Sequence, residues 1–363
     1  MIAPNTTTDT TPDAAMATAL AWLEHMWETL GEAFDLAQDW LFTQAIQPLL
    51  APLGLTAYAA DGYLATQWLL LGLLQMALIA GVLVPLERLR PFEVRPINPT
   101  QCKLRRQAIA TDVVYTLLDR LGIMRLALFF LVEPALRTLF GWLTTQGFNG
   151  WHLDQAVATL WPGVTDHALF GFAVYMLVLD AAGYAIHRAQ HRWEWWWALH
   201  AVHHSQQHMT AWSDSRNHLL DMLLADTLFA LLARLIGVPT DQFVTLIVLS
   251  KMMESLSHAN LRLGFGWLGE RLLVSPTFHR VHHGIDVDAH IPAGNRLHGC
   301  NFGVTFPVWD LLMGTARYRT QVGPTGIQDQ LPEHGGHDYG QGFWAQQVLA
   351  VRRMVGGFRH TAG

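Results

Sequence analysis

The clearest apolar run in the chain is "LATQWLLLGLLQMALIAGVLVPL", 64–86, which is uncharged throughout. As a helix it is long enough to cross roughly 30 Å of hydrocarbon. Weaker runs follow. Residues 121–140 are interrupted by Arg125 and Glu133, and "ALFGFAVYMLVLDAAGYAI", 168–186, holds one acid, Asp180. The segments 219–236 and 241–257 read as a helical hairpin turning at "GVPTD", where Gly and Pro stop a helix. These later segments are only moderately apolar, so they read as further spans or as helices buried against neighbours. Upstream, Met16, Leu20, Leu23, Trp27, Leu30, Phe34, Ala37 and Leu41 recur at alternating spacings of four and three. That is an amphipathic helix with Glu24, Glu28, Glu32 and Asp35 off its stripe. The stripe either packs on its own bundle or forms a homodimer contact. The pattern predicts an all-α, integral membrane helical bundle of about four to five spans.

Composition agrees. Charged residues are 14% of the chain and hydrophobic ones 51%, against about 25% charged in ordinary soluble domains. A net charge of −6 argues against nucleic acid as a partner. Two cysteines, Cys102 and Cys300, are too few for a disulfide framework. The opening "MIAPNTTTDTTPD" lacks the basic start of a signal peptide, and 1–15 reads as a disordered Thr-rich tail.

Basic residues orient the spans. None precedes Arg88, whereas 1–63 carries eight acids. Arg88, Arg90, Arg95, Lys103, Arg105 and Arg106 then cluster in one loop, and no base falls between Arg137 and Arg188. The positive-inside rule therefore places the N-terminus outside and loop 87–106 in the cytoplasm. His187 then lies where the third span re-enters the cytoplasm, and every later histidine cluster falls on that same side.

Those histidines carry the candidate chemistry. Eleven of nineteen lie between 187 and 283. His187 and His191 are one helical turn apart on one face. His200, His203 and His204 follow as HxxHH, and His279, His282 and His283 repeat it in "TFHRVHHG". His258 stands alone in "LSHANL". Clusters at helix ends would converge into one pocket of nine imidazoles, a donor that suits iron, zinc, copper and nickel. One ion cannot take nine ligands, but two can share them at four or five each. Bis-histidine haem needs pairs on facing spans and does not fit. His208, His290 and His298 lack this geometry, as do His25 and His360. Trp193, Trp195, Trp196 and Trp197 read as anchors at the headgroup interface.

From about 165 to 317 the sequence resembles the fatty acid hydroxylase or sterol desaturase superfamily of membrane oxygenases. The resemblance rests on "DAAGYAIHRAQH", "WWALHAVHHS", "SRNH", "SHANLRL", "SPTFHRVHHG" and the closing "CNFGVTFPVWDLLMGT". It implies a cytoplasmic histidine-rich helical cap holding a dimetal site of two iron ions. The implied ligands are His187, His191, His200, His203, His204, His258, His279, His282 and His283. His218 matches a family histidine usually followed by proline, where this chain has Leu219. The stretch 285–299 is longer than the usual link to the Asn-x-Gly tag and would form an altered lid.

The domains implied are 1–15, a tail; 16–160, the amphipathic helix and first spans; 161–320, the catalytic domain; and 321–363, a C-terminal tail. The implied activity is hydroxylation of a lipid C–H bond, on a fatty acyl, sterol, ether lipid or carotenoid, with O2. No flavin or nicotinamide fingerprint occurs, so electrons must come from a separate reductase, ferredoxin or cytochrome. Asp180, seven residues before His187, and Glu254, four before His258, are candidates to accept imidazole N–H bonds. Two rivals remain: a zinc hydrolase, which needs a Glu base as in HExxH that neither HxxHH supplies, and a non-catalytic membrane metal-binding or transport protein.

Overall fold

A computed structural model describes residues 12–94, 96–163, 168–287, 299–318 and 323–356. The tail up to residue 11, Arg95, most of the 285–299 stretch with His290 and His298, and His360 lie outside them. The described residues are all-α, with one isolated bridge between Gly284 and Thr325. The chain divides into two compact units, Met1–Leu70 and Leu71–Gly363.

In the first unit, α1 (Pro12–Leu41) is the expected long helix. Gln38 Nε2 donates to the Tyr63 carbonyl at 3.0 Å, and the Tyr63 hydroxyl donates to Asp39 at 2.7 Å. These bonds pin α1 to the start of α2 (Thr56–Leu89). Leu30, on the predicted stripe, is 62% exposed.

The second unit begins inside α2. It continues through α3 (Pro99–Arg120), α4 (Ile123–Leu131), α5 (Glu133–Thr145) and α6 (Leu153–Leu160). Asn98 caps α3, accepting from Thr100 N–H at 2.8 Å with Pro99 next. The segment read as one run, 121–140, is two helices bent by 48°, broken before Pro134, whose ring cannot continue an interior helix. By length and composition, α2 and α7 (Ala168–Arg192) could each cross a membrane, and the bent pair would make a third.

The hairpin is formed by α9 (Leu219–Ile236) and α10 (Thr240–His258), after α8 (Glu194–His204). Gly237, at φ +74°, turns it in the left-handed region that disfavours other residues. Neither arm is among the helices apolar enough to span. Their charges are turned inward instead. Asp221 is buried, and Lys251 lies 3.6 Å from Asp119. Buried against neighbours was thus the better reading of the two.

Two short helices, α11 (Gly266–Leu272) and α12 (Pro276–His282), and a turn of helix, α13 (Val308–Leu312), complete the site. The expected C-terminal tail contains α14 (Phe343–Gly356), which packs on α8. Its buried Gln346 accepts from the Tyr115 hydroxyl at 3.0 Å, and Gln347 donates to the same hydroxyl at 2.9 Å. Polar residues at these inward positions hid the helix from a reading by apolar periodicity.

Gly72 sits at a close helix crossing. A Cβ there would stand 1.7 Å from the Arg120 carbonyl oxygen, whereas one at Gly81 would meet nothing within 4 Å. Gly72→Ala should therefore destabilise the detergent-solubilised protein by about 1–3 kcal/mol, as overpacking does. Gly81→Ala should not. Equal melting temperatures for the two variants would contradict this packing.

Candidate metal centre

Helix geometry delivers the histidines. His187 and His191 close α7, His200, His203 and His204 close α8, His258 ends α10, and His279, His282 and His283 lie on α12 and its cap. Ser275 starts α12 by accepting from Phe278 N–H at 3.1 Å, with Pro276 behind it.

All nine are buried, and they sort into groups whose ligand nitrogens lie within 4.8 Å of one another. One group is His187, His191, His200 and His204; the second is His203, His258, His279 and His283. A third, His204, His282 and His283, joins them. The His282 ring lies 4.5–4.8 Å from those of His187, His191 and His204. Each HxxHH is therefore divided. Positions i and i+4 of α8 serve the first group while i+3 serves the second.

Proton placement follows from the partners. A carbonyl oxygen only accepts, so Nδ1 must carry the proton where it meets one. This holds for His187 with Phe302 at 2.9 Å, His203 with Arg216 at 3.2 Å, His258 with Glu254 at 2.7 Å and His282 with Cys300 at 2.6 Å. His200 Nδ1 donates to the Asp221 carboxylate at 3.1 Å. In all five rings Nε2 is then the atom with a lone pair. The Nε2 atoms of His187, His200, His204 and His282 are buried without a hydrogen-bond partner.

In the second group the Nε2 atoms of His203 and His258 are 3.1 Å apart, although both rings carry their proton on Nδ1. Two lone pairs facing across that gap repel, and a cation between them removes the repulsion. Further Nε2 contacts, His258 to His279 at 3.1 Å and His279 to His283 at 3.2 Å, extend the cage. Imidazole nitrogens bind first-row metals at about 2.0–2.1 Å, so adjacent ligands of one ion should lie about 3 Å apart. The residues fit a metal pair.

Burial, reinforced by neighbouring histidines, holds His203, His204, His279 and His283 well below the ordinary imidazole range, and burial pushes His282 down to about 3. Neutral imidazole is the form a metal requires.

The loop that closes the cage explains the Asn-x-Gly tag. Asn301, at φ +55°, donates to the carbonyls of Phe278 and Arg317, both at 2.9 Å. Asp310 accepts from Phe302 N–H at 2.8 Å and Gly303 N–H at 2.7 Å. A Cβ at Gly303 would stand 2.9 Å from that carboxylate. The loop so fixed presents the Cys300 and Phe302 carbonyls to His282 and His187.

Several expectations need correction. Asp180 touches no imidazole; it accepts from Thr305 N–H at 2.8 Å and from Trp309 Nε1 at 2.9 Å, steadying the same loop. Glu254 orients His258 through its backbone carbonyl, while its carboxylate lies 3.5 Å from Lys251. His218 lies outside the groups. Its Nδ1 accepts from Leu220 N–H as the cap of α9, and its Nε2 donates to the Gln347 carbonyl. Of the four tryptophans only Trp193 and Trp195 are exposed. Trp196 is buried, and the Trp197 ring lies 4.9 Å from His191.

Two features were missed from the sequence. Asp221 accepts from Gln190 at 2.7 Å, Trp196 at 2.6 Å and His200, binding three elements together. Asp112 accepts from Arg216 Nε at 2.5 Å, from Ser213 at 2.8 Å and from Gln206, fixing the loop whose carbonyl anchors His203. An acid inside an apolar run was the available signal for Asp221.

Fold and site together define an all-α protein with membrane-span candidates and a buried, two-part histidine cage. Residues 172–315 match the fatty acid hydroxylase family. It is 27% identical over 168 residues to the fatty acid hydroxylase vlmA of a Lecanicillium species, covering 43% of this chain and 44% of that protein. It is 28% identical over 142 residues to an alkylglycerol monooxygenase of Danio rerio, covering 38% and 29%. A very-long-chain aldehyde decarbonylase of Oryza sativa subsp. japonica is 25% identical over 167 residues, covering 45% and 60%. The chain thus spans less than two thirds of each relative. No solved structure matches.

Asp221→Asn should lower metal affinity at the first group by about 10–100-fold, as loss of an imidazole's outer partner does, and leave the second group's affinity unchanged. A metal titration resolves the two; equal affinities in variant and parent would refute the role. The pH dependence has a definite sign. As pH falls below about 6.5, unfolded histidines take up protons that these buried folded ones refuse. The metal-free protein should therefore lose stability between pH 7 and 5, by up to about 1.4 kcal/mol per pH unit per histidine. A melting temperature that is flat or rises on acidification would be inconsistent with neutral imidazoles.

Proposed function

We propose that the chain is a membrane-bound non-haem diiron monooxygenase that hydroxylates a C–H bond of a lipid with dioxygen and external electrons. The observation that carries this reading is the convergence of proton-free Nε2 atoms, above all the facing pair on His203 and His258, inside a fatty acid hydroxylase domain. One relative is named a fatty acid hydroxylase and another an alkylglycerol monooxygenase. Iron is the metal the family reading implies, and zinc fits the same ligands in purified samples.

The first group with His282 would hold one ion and the second group the other. When bound, the metal pair supplies dioxygen activation and C–H oxidation. One dioxygen, two electrons and two protons then convert the C–H bond to an alcohol and one water. The protein's part is placement. Backbone carbonyls and Asp221 hold the imidazoles in one tautomer, and burial keeps them neutral and dry.

In this reading α2, the bent α4–α5 pair and α7 cross the bilayer, and α9 and α10 pack against them without adding spans. The N-terminus is outside and the cage lies at the cytoplasmic end of α7. Electrons come from a separate reductase, ferredoxin or cytochrome, and the lipid comes from the bilayer.

Iron-loaded protein in membranes, given reductant and isotopically labelled dioxygen, should yield a lipid heavier by one labelled oxygen atom. His203→Ala and His282→Ala should each abolish that product without preventing membrane insertion, and the parent should hold close to two metals per chain. Parent-level turnover in both variants would sink the dimetal reading. Two bound metals with no oxygen-dependent product on any lipid would favour a metal-binding or transport role.

A further inference from the structure

Glu87 stands in the last turn of α2, where a helix otherwise apolar enough to span a membrane buries a carboxylate. Its Oε1 accepts from Ala211 N–H at 2.7 Å and from Asn260 N–H at 2.8 Å. All three residues are buried. A buried main-chain N–H needs a partner, so this one oxygen ties together two segments distant in sequence.

Both segments lead to the second histidine group. Asn260 follows His258 by two residues, just beyond the end of α10. Ala211 lies in the first of two linked turns that end at Arg216. Ser213 N–H donates to the Thr210 carbonyl at 2.8 Å, and Arg216 N–H donates to the Ser213 carbonyl at 3.2 Å. The Arg216 carbonyl in turn accepts from His203 Nδ1. His203 and His258 are the two rings whose Nε2 atoms face each other at 3.1 Å. Glu87 thus stands behind both halves of that facing pair.

The residues around Glu87 tighten the same grip. Asn260 Oδ1 accepts from Glu93 N–H at 2.8 Å, and its Nδ2 donates to the Glu93 carbonyl at 3.0 Å. Arg262 N–H donates to the Arg90 carbonyl at 2.7 Å. The Glu93 carboxylate pairs with Arg280, next to His279 on α12. Apolar packing agrees, for Ile79 and Leu83 of α2 share a buried cluster with Ala211, Ala259 and Leu261. The first group draws its anchors elsewhere. His187, His200 and His282 donate to Phe302, Asp221 and Cys300, all within residues 172–315.

We infer that Glu87 is a positioning residue for the second group, its carboxylate oxygen fixing the main chain behind His203 and His258. The end of α2 is then part of the metal site, although it precedes the residues that match the family. This rests on the metal-pair reading and is independent of the reaction.

The test is zinc titration of full-length protein in detergent, against a chromogenic chelator, with each group isolated in turn. His258→Ala leaves the first group whole, and His191→Ala leaves the second whole. Adding Glu87→Leu to His191→Ala should weaken the remaining zinc affinity at least about tenfold, as loss of a ligand's supporting contact does. Adding it to His258→Ala should change affinity by less than about twofold, as for independent sites. Glu87→Gln keeps an oxygen acceptor and should stay within about twofold of either background. Equal weakening in both backgrounds would make Glu87 a general structural residue and overturn the inference. So would no weakening in either, or a Gln variant as weak as the Leu variant. Where Glu87→Leu yields no folded protein, Glu87→Asp, whose oxygen is withdrawn by one methylene, must show the same split or the inference falls. A parent chain that binds no second zinc would overturn the metal-pair reading and this inference with it. Two zinc ions in the parent with affinities indifferent to Glu87 would remove this inference alone.

Discussion

The position of one proton on each imidazole decides what this site can be. A buried neutral histidine has a donor nitrogen and an acceptor nitrogen, and the fold chooses between them by supplying a carbonyl or carboxylate to Nδ1. Five imidazoles are set this way, by Phe302, Arg216, Glu254, Cys300 and Asp221. Only Asp221 acts through a side chain. Main-chain carbonyls are placed by the path of the backbone, so much of the cage geometry is delegated to the loops that carry Arg216, Cys300 and Phe302. The loop ending in Thr315 and the loop at Arg216 are therefore as much a part of the site as the ligands.

Those loops hold their shape through buried charge. Asp112 with Arg216, and Asp214 with Arg120 at 2.5 Å, lie almost wholly out of solvent. Ser255 donates to Asp214 at 2.7 Å, and Ser213 completes the Asp112 cluster. Ion pairs so deeply buried contribute little net stability relative to apolar packing, because desolvation offsets the attraction. Their value here is positional. A chain with only 14% charged residues places several of them where they fix a ligand's anchor.

How much was legible in the sequence depends on whether the cause was local. Histidines at i and i+4 share a face because of the helical repeat, so the histidine clusters could be gathered from spacing alone. Their partition could not, since it depends on where α10 and α12 meet α8. Spacing placed Asp180 on the face of His187, but the partner of a side chain is set by whichever loop crosses it, and that loop begins more than a hundred residues later. His218 looked like a ligand by motif, whereas at the start of α9 its nitrogen is used as a helix cap. Trp196 was read as an interfacial anchor, and its indole N–H instead completes the Asp221 cluster. The helix α14 escaped notice because Gln346 and Gln347 face inward to satisfy Tyr115.

The hairpin joins the two sides of the problem. The charges of α9 and α10 keep both helices outside the set apolar enough to span a membrane, yet these helices line a cavity beside the histidine cage. Ionisable groups in a largely apolar bundle persist where they face a partner or a cavity and not lipid. Here both conditions hold, for Asp221 serves the cage and Lys251 and Glu254 face the cavity. A wholly apolar pair of helices would have packed into the same place, but it would have left His200 without its acceptor. The lower apolarity of this hairpin thus serves the site.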